Sequence, residues 1–124
     1  MADLSKPILF CGTARPDDAK RFYAETLGLA LLEDTPFALV FQCGELVLRV
    51  QKAQAPFTPL PFTQLGWEVQ DIAASAARLA ERGVEFVRYP GMDQDELGIW
   101  SVPGAKVCWF RDPDGNTLSL TQHG

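Results

Sequence analysis

The amino-acid sequence predicts an α+β fold, built from two halves that repeat one order of elements: a strand, a helix and then several strands. Two segments carry apolar residues at helical spacing, and each of them ends at a glycine. Those glycines, Gly28 and Gly83, lie 55 residues apart, which indicates a weak internal repeat. Residues 112–116 have the composition of a tight turn, and a strand of alternating polarity follows at 117–121.

The first half begins with an apolar strand at residues 8–12, and a helix is predicted over 16–27. Pro16 suits the first helical turn, and the two aspartates that follow it are favourable at the positive end of the helix dipole. Gly28 is typical of a helix C-terminus. Three shorter strands are expected next, with a glycine turn between the last two, over residues 30–32, 37–43 and 45–51.

The second half repeats this order, with a strand at residues 63–69 and a helix over 72–82. Asp71 is a good N-cap for that helix, because its side chain can accept a hydrogen bond from a free backbone N–H of the first turn. Glycines and acidic or amide residues dominate 90–98, which is expected to be a mobile loop. Four strands are predicted in this half after the helix, over residues 84–88, 99–102, 107–111 and 117–122.

A chain of 124 residues is expected to form a single domain, with an N-terminal module at about 6–52, an extended proline-rich linker at about 53–61 and a C-terminal module at about 62–122. The N-terminus has no basic region followed by an apolar stretch, and no apolar run approaches the roughly 18 residues of a membrane span. We therefore expect a cytoplasmic protein that does not contact a membrane. The net charge of −5 and the lack of a basic run make nucleic acid a poor candidate partner.

Cysteine and histidine usage narrows the possible chemistry. The three cysteines are widely spaced, odd in number and without a CxxC pair, which favours buried free thiols over a disulfide or a zinc site. The single histidine is His123, next to the C-terminal residue. A catalytic triad or a site with several histidine ligands cannot be assembled from it.

Three motifs, in this order and spacing, resemble the vicinal oxygen chelate superfamily, which includes glyoxalase I, extradiol dioxygenases, fosfomycin resistance enzymes and bleomycin resistance proteins. They are Arg-Pro-Asp-Asp-Ala-Lys-Arg-Phe-Tyr at 15–23 with Leu-Gly-Leu at 27–29, Gly-Trp-Glu-Val-Gln-Asp-Ile at 66–72 before an alanine-rich helix, and Phe-Arg-Asp-Pro-Asp-Gly-Asn at 110–116. The resemblance covers nearly the whole chain. It implies an α+β fold of two βαβββ modules forming a half-open curved mixed sheet, usually within a homodimer.

The resemblance also implies four metal-ligand positions, which fall here on Ile8, Arg49, Gln64 and Ser119. Metal-dependent relatives carry His or Gln, Glu, His and Glu there. Ile8 has no donor atom, Arg49 is a permanent cation, and Ser119 is a weak neutral ligand. Since only Gln64 could serve, we expect no metal and no other cofactor.

Strand alternation assigns one face of the predicted sheets to the core and a polar face to the cavity that the resemblance implies. Arg49 lies on that polar face, where it could bind a carboxylate or phosphate of a ligand, or could instead pair with Glu68. Glu68 is a weak candidate for a general base if it is desolvated, although such a residue is more often paired or exposed. The residues expected to line a ligand-binding cavity are Ile8, Phe10, Arg49, Gln64, Glu68, Trp100, Trp109 and Ser119.

Phe10, Trp100 and Trp109 are the aromatic candidates of that set, since such rings could stack on a flat ligand or could belong to the core or a dimer interface.

Three functions stay open. The first is a metal-independent protein that binds a small molecule in the cavity without catalysis, as bleomycin resistance proteins do. The second is a lyase or oxidoreductase of the glyoxalase or dioxygenase type with an atypical or metal-free site. The third is a dimeric module that acts through protein partners.

Overall fold

Each half of the chain folds into one four-stranded mixed sheet, in a computed structural model that describes residues 2–54 and 56–124. The first compact unit ends at Pro59 and the second spans Leu60–Gly124. Both units have the element order strand, helix, three strands, which confirms the α+β prediction and its two βαβββ modules. One residue of the predicted linker, Ala55, lies outside the described residues. No helix in the described part of the chain is long and apolar enough to cross a membrane.

In the sheet of the first unit, the strand that comes last in sequence, β4, is an inner strand and has a hydrogen-bonded neighbour on each side. Strand β1 runs parallel to β4, whereas β3 is antiparallel to both β4 and β2, which gives the order β1-β4-β3-β2. The elements of this unit are β1 (Leu9–Thr13), α1 (Pro16–Arg21), a π-helical turn (Phe22–Thr26), β2 (Ala30–Asp34), β3 (Ala38–Cys43) and β4 (Leu46–Lys52).

The helix predicted over 16–27 is α-helical only as far as Arg21, and its second part is a wider π turn. The backbone N–H of Leu27 bonds the carbonyl of Phe22 at 2.9 Å, five residues back. Tyr23 lies within this turn, fully buried, with its hydroxyl 3.4 Å from the Cys11 sulfur. Hydrophobic spacing predicted one continuous α-helix, because the few apolar residues of a single turn do not distinguish hydrogen bonds to the fifth residue back from bonds to the fourth.

The second unit has the same topology, with the order β5-β8-β7-β6 and β5 parallel to β8. Asp71 is the predicted N-cap of the helix, and its carboxylate accepts a hydrogen bond from the backbone N–H of Ala74 at 3.1 Å. The elements of this unit are β5 (Thr63–Glu68), α2 (Ile72–Glu81), β6 (Trp100–Val102), β7 (Ala105–Arg111) and β8 (Thr117–His123).

The strand predicted over 84–88 is wrong. Its contacts with β7 include the bridge between Phe86 and Phe110 and a hydrogen bond from the N–H of Val87 to the carbonyl of Trp109 at 2.8 Å. These contacts do not form a full ladder, and β6 pairs with the opposite end of β7. The alternation signal shows which face a residue takes, and it does not show whether a hydrogen-bonded partner strand is present.

The segment 90–98, expected to be a mobile loop, is tied to its surroundings through the side chain of Gln94. The Gln94 amide nitrogen donates to the carbonyls of Val87 at 2.9 Å and Gly98 at 2.8 Å, and its amide oxygen accepts from the N–H of Tyr89 at 2.8 Å. These bonds replace the backbone ladder that a strand would have supplied.

Core residues follow the predicted alternation. Of the positions that alternation assigns to the core face, Leu48, Val50, Leu65, Leu118 and Leu120 are buried, whereas Leu46, Trp67 and Val69 are only half-buried. All three cysteines are buried and free, as expected, and burial raises the pKa of the Cys108 thiol to about 12. In the turn at 112–116, the Asp112 carboxylate is buried and accepts hydrogen bonds from the N–H groups of Asp114 and Asn116. These hydrogen bonds stabilise the turn and give the Asp112 carboxylate a structural role.

Candidate functional site

Arg49 lies in the middle of the first sheet, at its central strand β4. It is in register with Phe10 on β1 and with Val40 on β3, so the three side chains share one face of the sheet. Arg49 is half-buried, Val40 is buried, and Phe10 is 44% exposed. The structure thus brings together two of the predicted cavity residues, Phe10 and Arg49.

The guanidinium of Arg49 takes part in no ion pair within the described residues of the first unit. The ion pairs of that unit join Asp18 to two arginines and Asp34 to two lysines, elsewhere on its surface. Lysine hydrogen bonds hold the pKa of the Asp34 carboxyl below its usual value. A half-buried cation with apolar neighbours gains from an anionic partner, because its desolvation is otherwise uncompensated.

An aromatic ring from the linker also covers this face. A Cβ built on Gly12 would lie 2.6 Å from Cε2 of Phe57, so the ring occupies the space that any larger residue would need. Gly12 lies two residues after Phe10 on β1, on the same face. Phe57 lies in the segment predicted to be a linker, where a single aromatic residue among prolines was the signal that could have indicated this contact.

The second unit carries a group of three aromatic rings on one face of its sheet. Trp100 and Trp109 are both half-buried, with ring centroids 6.2 Å apart. The ring of Tyr89 meets Trp109 edge to face, with centroids 5.3 Å apart. The two tryptophans were predicted for this face. Tyr89 was missed, because it falls between the strand predicted over 84–88 and the loop predicted over 90–98, and no pattern indicated which way its side chain would face.

Ser119 lies in register with Trp109 on one side and Gly66 on the other, which places it on the aromatic face. Ser119 is buried at 7% exposure, so the polar face of β8 is less open than a solvent-facing strand. Gly66 explains how the serine fits, since a Cβ at position 66 would overlap the Ser119 hydroxyl oxygen. A neutral hydroxyl held here can orient a ligand by hydrogen bonding.

Glu68 lies at the end of β5 with its side chain 69% exposed, and its carboxylate is 3.4 Å from Nδ1 of His123. Such an exposed pair is weak, and exposure does not provide the desolvation that a general base near neutral pH requires. The alternative partner, Arg49, belongs to the other unit, and that pairing stays a prediction. The weak candidacy of Glu68 as a base gains no support from its surroundings.

Two further predicted cavity residues lie at irregular places. Ile8 precedes β1 and is 51% exposed. Gln64 lies at a register shift of the β5–β8 pairing, between Thr63 and Leu65, so it has no residue opposite it on β8. A slip of this kind changes which face a side chain takes, and a regular alternation pattern does not reveal it.

The donor set does not fit a divalent metal. Of the four positions that the resemblance indicated, Ile8 offers hydrocarbon and Arg49 offers positive charge, whereas such ions require anionic or neutral donors. Among residues 2–54 and 56–124, no three His, Cys, Asp or Glu side chains are grouped so that they could hold a metal ion.

A cleft of about 300 Å³ opens on the other face of the second sheet, beside the first turn of α2. Its lining includes Ser101, Lys106 and Gln122, which form one row across β6, β7 and β8 on the face opposite Trp109. None of the predicted cavity residues lines it. Its charges are mixed, since Lys106 is accompanied by Asp71 and Asp95.

Comparison with known proteins gives a consistent picture. The model of the Glyoxalase/Bleomycin resistance protein/Dioxygenase superfamily matches residues 9–120. A glyoxalase/bleomycin resistance protein from Streptomyces sp. CB03234 is 28% identical, with a TM-score of 0.69 over 95% of this chain and 100% of that chain. TnmS3, an antibiotic binding protein from the same Streptomyces strain, is 26% identical, with a TM-score of 0.73 over 99% of this chain and 100% of that chain.

A lactoylglutathione lyase from Agrobacterium tumefaciens shares the fold, at 18% identity and a TM-score of 0.67 over 97% of this chain and 95% of that chain. No curated protein matches the sequence. The family match spans both units, and the repeated βαβββ order of the structure agrees with it. The chain therefore belongs to the glyoxalase/bleomycin resistance protein/dioxygenase superfamily.

Proposed function

We propose that this protein binds a small molecule through the polar and aromatic face of its sheets, without a metal and without catalysing a reaction. The observation that carries the proposal is the aromatic group of the second unit. Trp100 and Trp109 lie side by side on this face, and each keeps part of its surface exposed to solvent. Two adjacent indoles beside a hydroxyl offer a stacking surface and an orienting polar group, which is the usual composition of a ligand site.

A likeness supports the binding role. TnmS3, whose sequence is 26% identical to this one, is described as an antibiotic binding protein. The cavity residues of the proposal are those predicted from the sequence, and in the second unit Trp100, Trp109 and Ser119 share one face. A flat aromatic compound, such as an antibiotic with fused rings, is the ligand class that this face fits best.

The catalytic alternative, a glyoxalase- or dioxygenase-type enzyme, lacks a specific observation in its favour. Metal-dependent catalysis would need anionic or imidazole donors at positions that here hold Ile8 and Arg49. A metal-free reaction with Glu68 as base would need a desolvated carboxylate, and this one is largely exposed. Metal independence is tested by elemental analysis: we expect no stoichiometric nickel, zinc, iron or manganese after dialysis, and a retained ion would contradict the proposal.

The proposal includes a cytoplasmic homodimer with no nucleic-acid or membrane partner. Light scattering coupled to size-exclusion chromatography measures the molar mass in solution. A monomer mass over a wide range of protein concentrations would contradict the dimer. A dimer that binds no small molecule but retains a protein from lysate would favour the third function, a module acting through protein partners.

The binding role is tested with a panel of flat aromatic antibiotics, by thermal shift and by quenching of tryptophan fluorescence. We expect Trp100→Leu and Trp109→Leu to weaken binding of a hit about tenfold each, since each removes a stacking surface. Phe37→Ala is the matched control, because Phe37 is an aromatic residue of the first unit with 76% exposure. Equal affinity in the tryptophan variants, or no binding by any member of the panel, would overturn the proposal.

A further inference from the structure

We propose that the first unit carries an anion site of its own, in which Arg49 binds the carboxylate of a small aromatic acid whose ring packs against Phe10 and Phe57. The inference rests on the proposed function and deepens it, because Phe10 and Arg49 belong to the predicted cavity and the inference names the ligand class that the first unit would take. Those residues share one face of the sheet, as the strand register and the contact at Gly12 show.

The charge of this site comes from Arg49. A guanidinium stays ionised at every physiological pH, and its planar fork matches a carboxylate with two parallel hydrogen bonds. Within the described residues of the first unit, the acidic side chains that form ion pairs are Asp18 and Asp34, and neither pairs with Arg49. As far as the described residues of the first unit are concerned, the half-buried guanidinium is therefore available to a ligand.

One acidic residue does lie in the same row of side chains. Glu33 on β2 is in register with Val40, which separates it from Arg49 by two strand spacings, or roughly 10 Å. Glu33 is exposed and makes no ion pair with Arg49. Its charge weakens anion binding across the row, so Glu33→Gln is expected to strengthen it modestly.

Aromatic surface lies beside the charge on β1. Phe10 is the in-register neighbour of Arg49, and Phe57 lies over Gly12, two residues further along the strand. Phe10 is 44% exposed, so a ligand ring that covered it would remove apolar area from water. A cation bordered by two phenyl rings fits a molecule that joins an anionic group to an arene.

The test uses 1-naphthoate as the probe, with 1-naphthalenemethanol as its neutral counterpart, and follows binding by amide and arginine side-chain NMR shifts. We expect naphthoate to shift the Arg49 side-chain signal at millimolar concentrations. Arg49→Gln should weaken naphthoate binding at least about tenfold, because a charge-assisted hydrogen-bond pair is lost. Arg49→Lys should recover part of the affinity, since it keeps the charge and loses the fork.

Arg78→Gln is the matched control, because it removes one exposed arginine charge from α2 and should leave the affinity unchanged. The alcohol should bind wild type and Arg49→Gln alike, and Gly12→Ala should weaken both probes by displacing Phe57. Equal naphthoate affinity in Arg49→Gln, or no Arg49 shift in wild type, would overturn the inference. The tryptophan variants of the second unit test the proposed function separately, so either proposal can fail alone.

Discussion

At the scale of single residues, glycines decide where side chains of neighbouring strands can lie. Gly12 admits the Phe57 ring and Gly66 admits the Ser119 hydroxyl, each at a position where a Cβ would collide with its neighbour. Neither glycine has a positive φ, so the requirement is space rather than backbone conformation. The sequence shows that each strand contains a glycine. It does not show which side chain, distant in sequence, occupies the space that a larger residue would fill.

Gly66→Ala is expected to lower the free energy of unfolding by about 1–3 kcal/mol, since the new methyl group would overlap the Ser119 hydroxyl oxygen. Urea denaturation of the two single variants, Gly66→Ala and Ser119→Ala, and of the double variant measures the coupling free energy between these positions in a double-mutant cycle. The pair should cost less than the sum of the two single changes, because the second removes the atom that clashes. Simple additivity would show that the two residues do not compete for this space.

At the scale of elements, hydrogen bonds made by side chains stabilise segments that lack a strand ladder. Gln94 joins Val87, Tyr89 and Gly98, and thereby fixes the segment that presents Tyr89 to Trp109. The position of Tyr89 on the aromatic face of the second sheet therefore depends on the side chain of Gln94, five residues later in the chain. A composition rich in glycine and acids predicted flexibility here, since composition does not reveal that one amide side chain bonds three backbone groups within seven residues of it.

Gln94→Ala is expected to destabilise this segment by about 1–3 kcal/mol, because two backbone carbonyls and one N–H lose their partner. Hydrogen exchange at the Tyr89 amide should become faster, since that N–H donates to Gln94. Gln70→Ala, at an exposed glutamine after β5, is the matched control and should leave the exchange rate unchanged. Unchanged protection in Gln94→Ala would mean that the loop is held by other contacts.

At the scale of the whole molecule, each unit has one apolar core face and an opposite face that is only partly buried. The core faces are made by leucine, valine, phenylalanine and cysteine, whereas the opposite faces carry Arg49, the buried Ser119 and partly exposed aromatic rings. Cys108 is fully buried, and its raised pKa of about 12 keeps it a neutral thiol in the folded protein. Since the thiolate is the reactive form, Cys108 is not a candidate nucleophile.

Burial of Cys108 predicts how stability changes with pH. The folded state raises the pKa from 9.0 to about 12, so burial of the neutral thiol stabilises the protein fully below pH 9, and this contribution is lost as the pH rises toward 12. We expect the free energy of unfolding to fall over this range in wild type, and to fall less steeply in Cys108→Ala. Labelling by a maleimide at pH 8 should require unfolding, and rapid labelling of folded protein at Cys108 would contradict this account.

The sequence alone determined the strand and helix that begin each half, the N-cap at Asp71 and the burial of Leu48, Leu65, Leu118 and Leu120, and the family resemblance implied the two βαβββ modules. The cap and the buried leucines follow from local chemistry, since a capping side chain or a two-residue period acts over a few neighbouring residues. The tertiary structure alone decided the π turn at Tyr23, the absence of a ladder at 84–88, the register shift at Gln64 and the ring of Phe57 over Gly12. These features depend on residues distant in sequence competing for the same space or the same hydrogen bond, and no local pattern records the outcome of that competition.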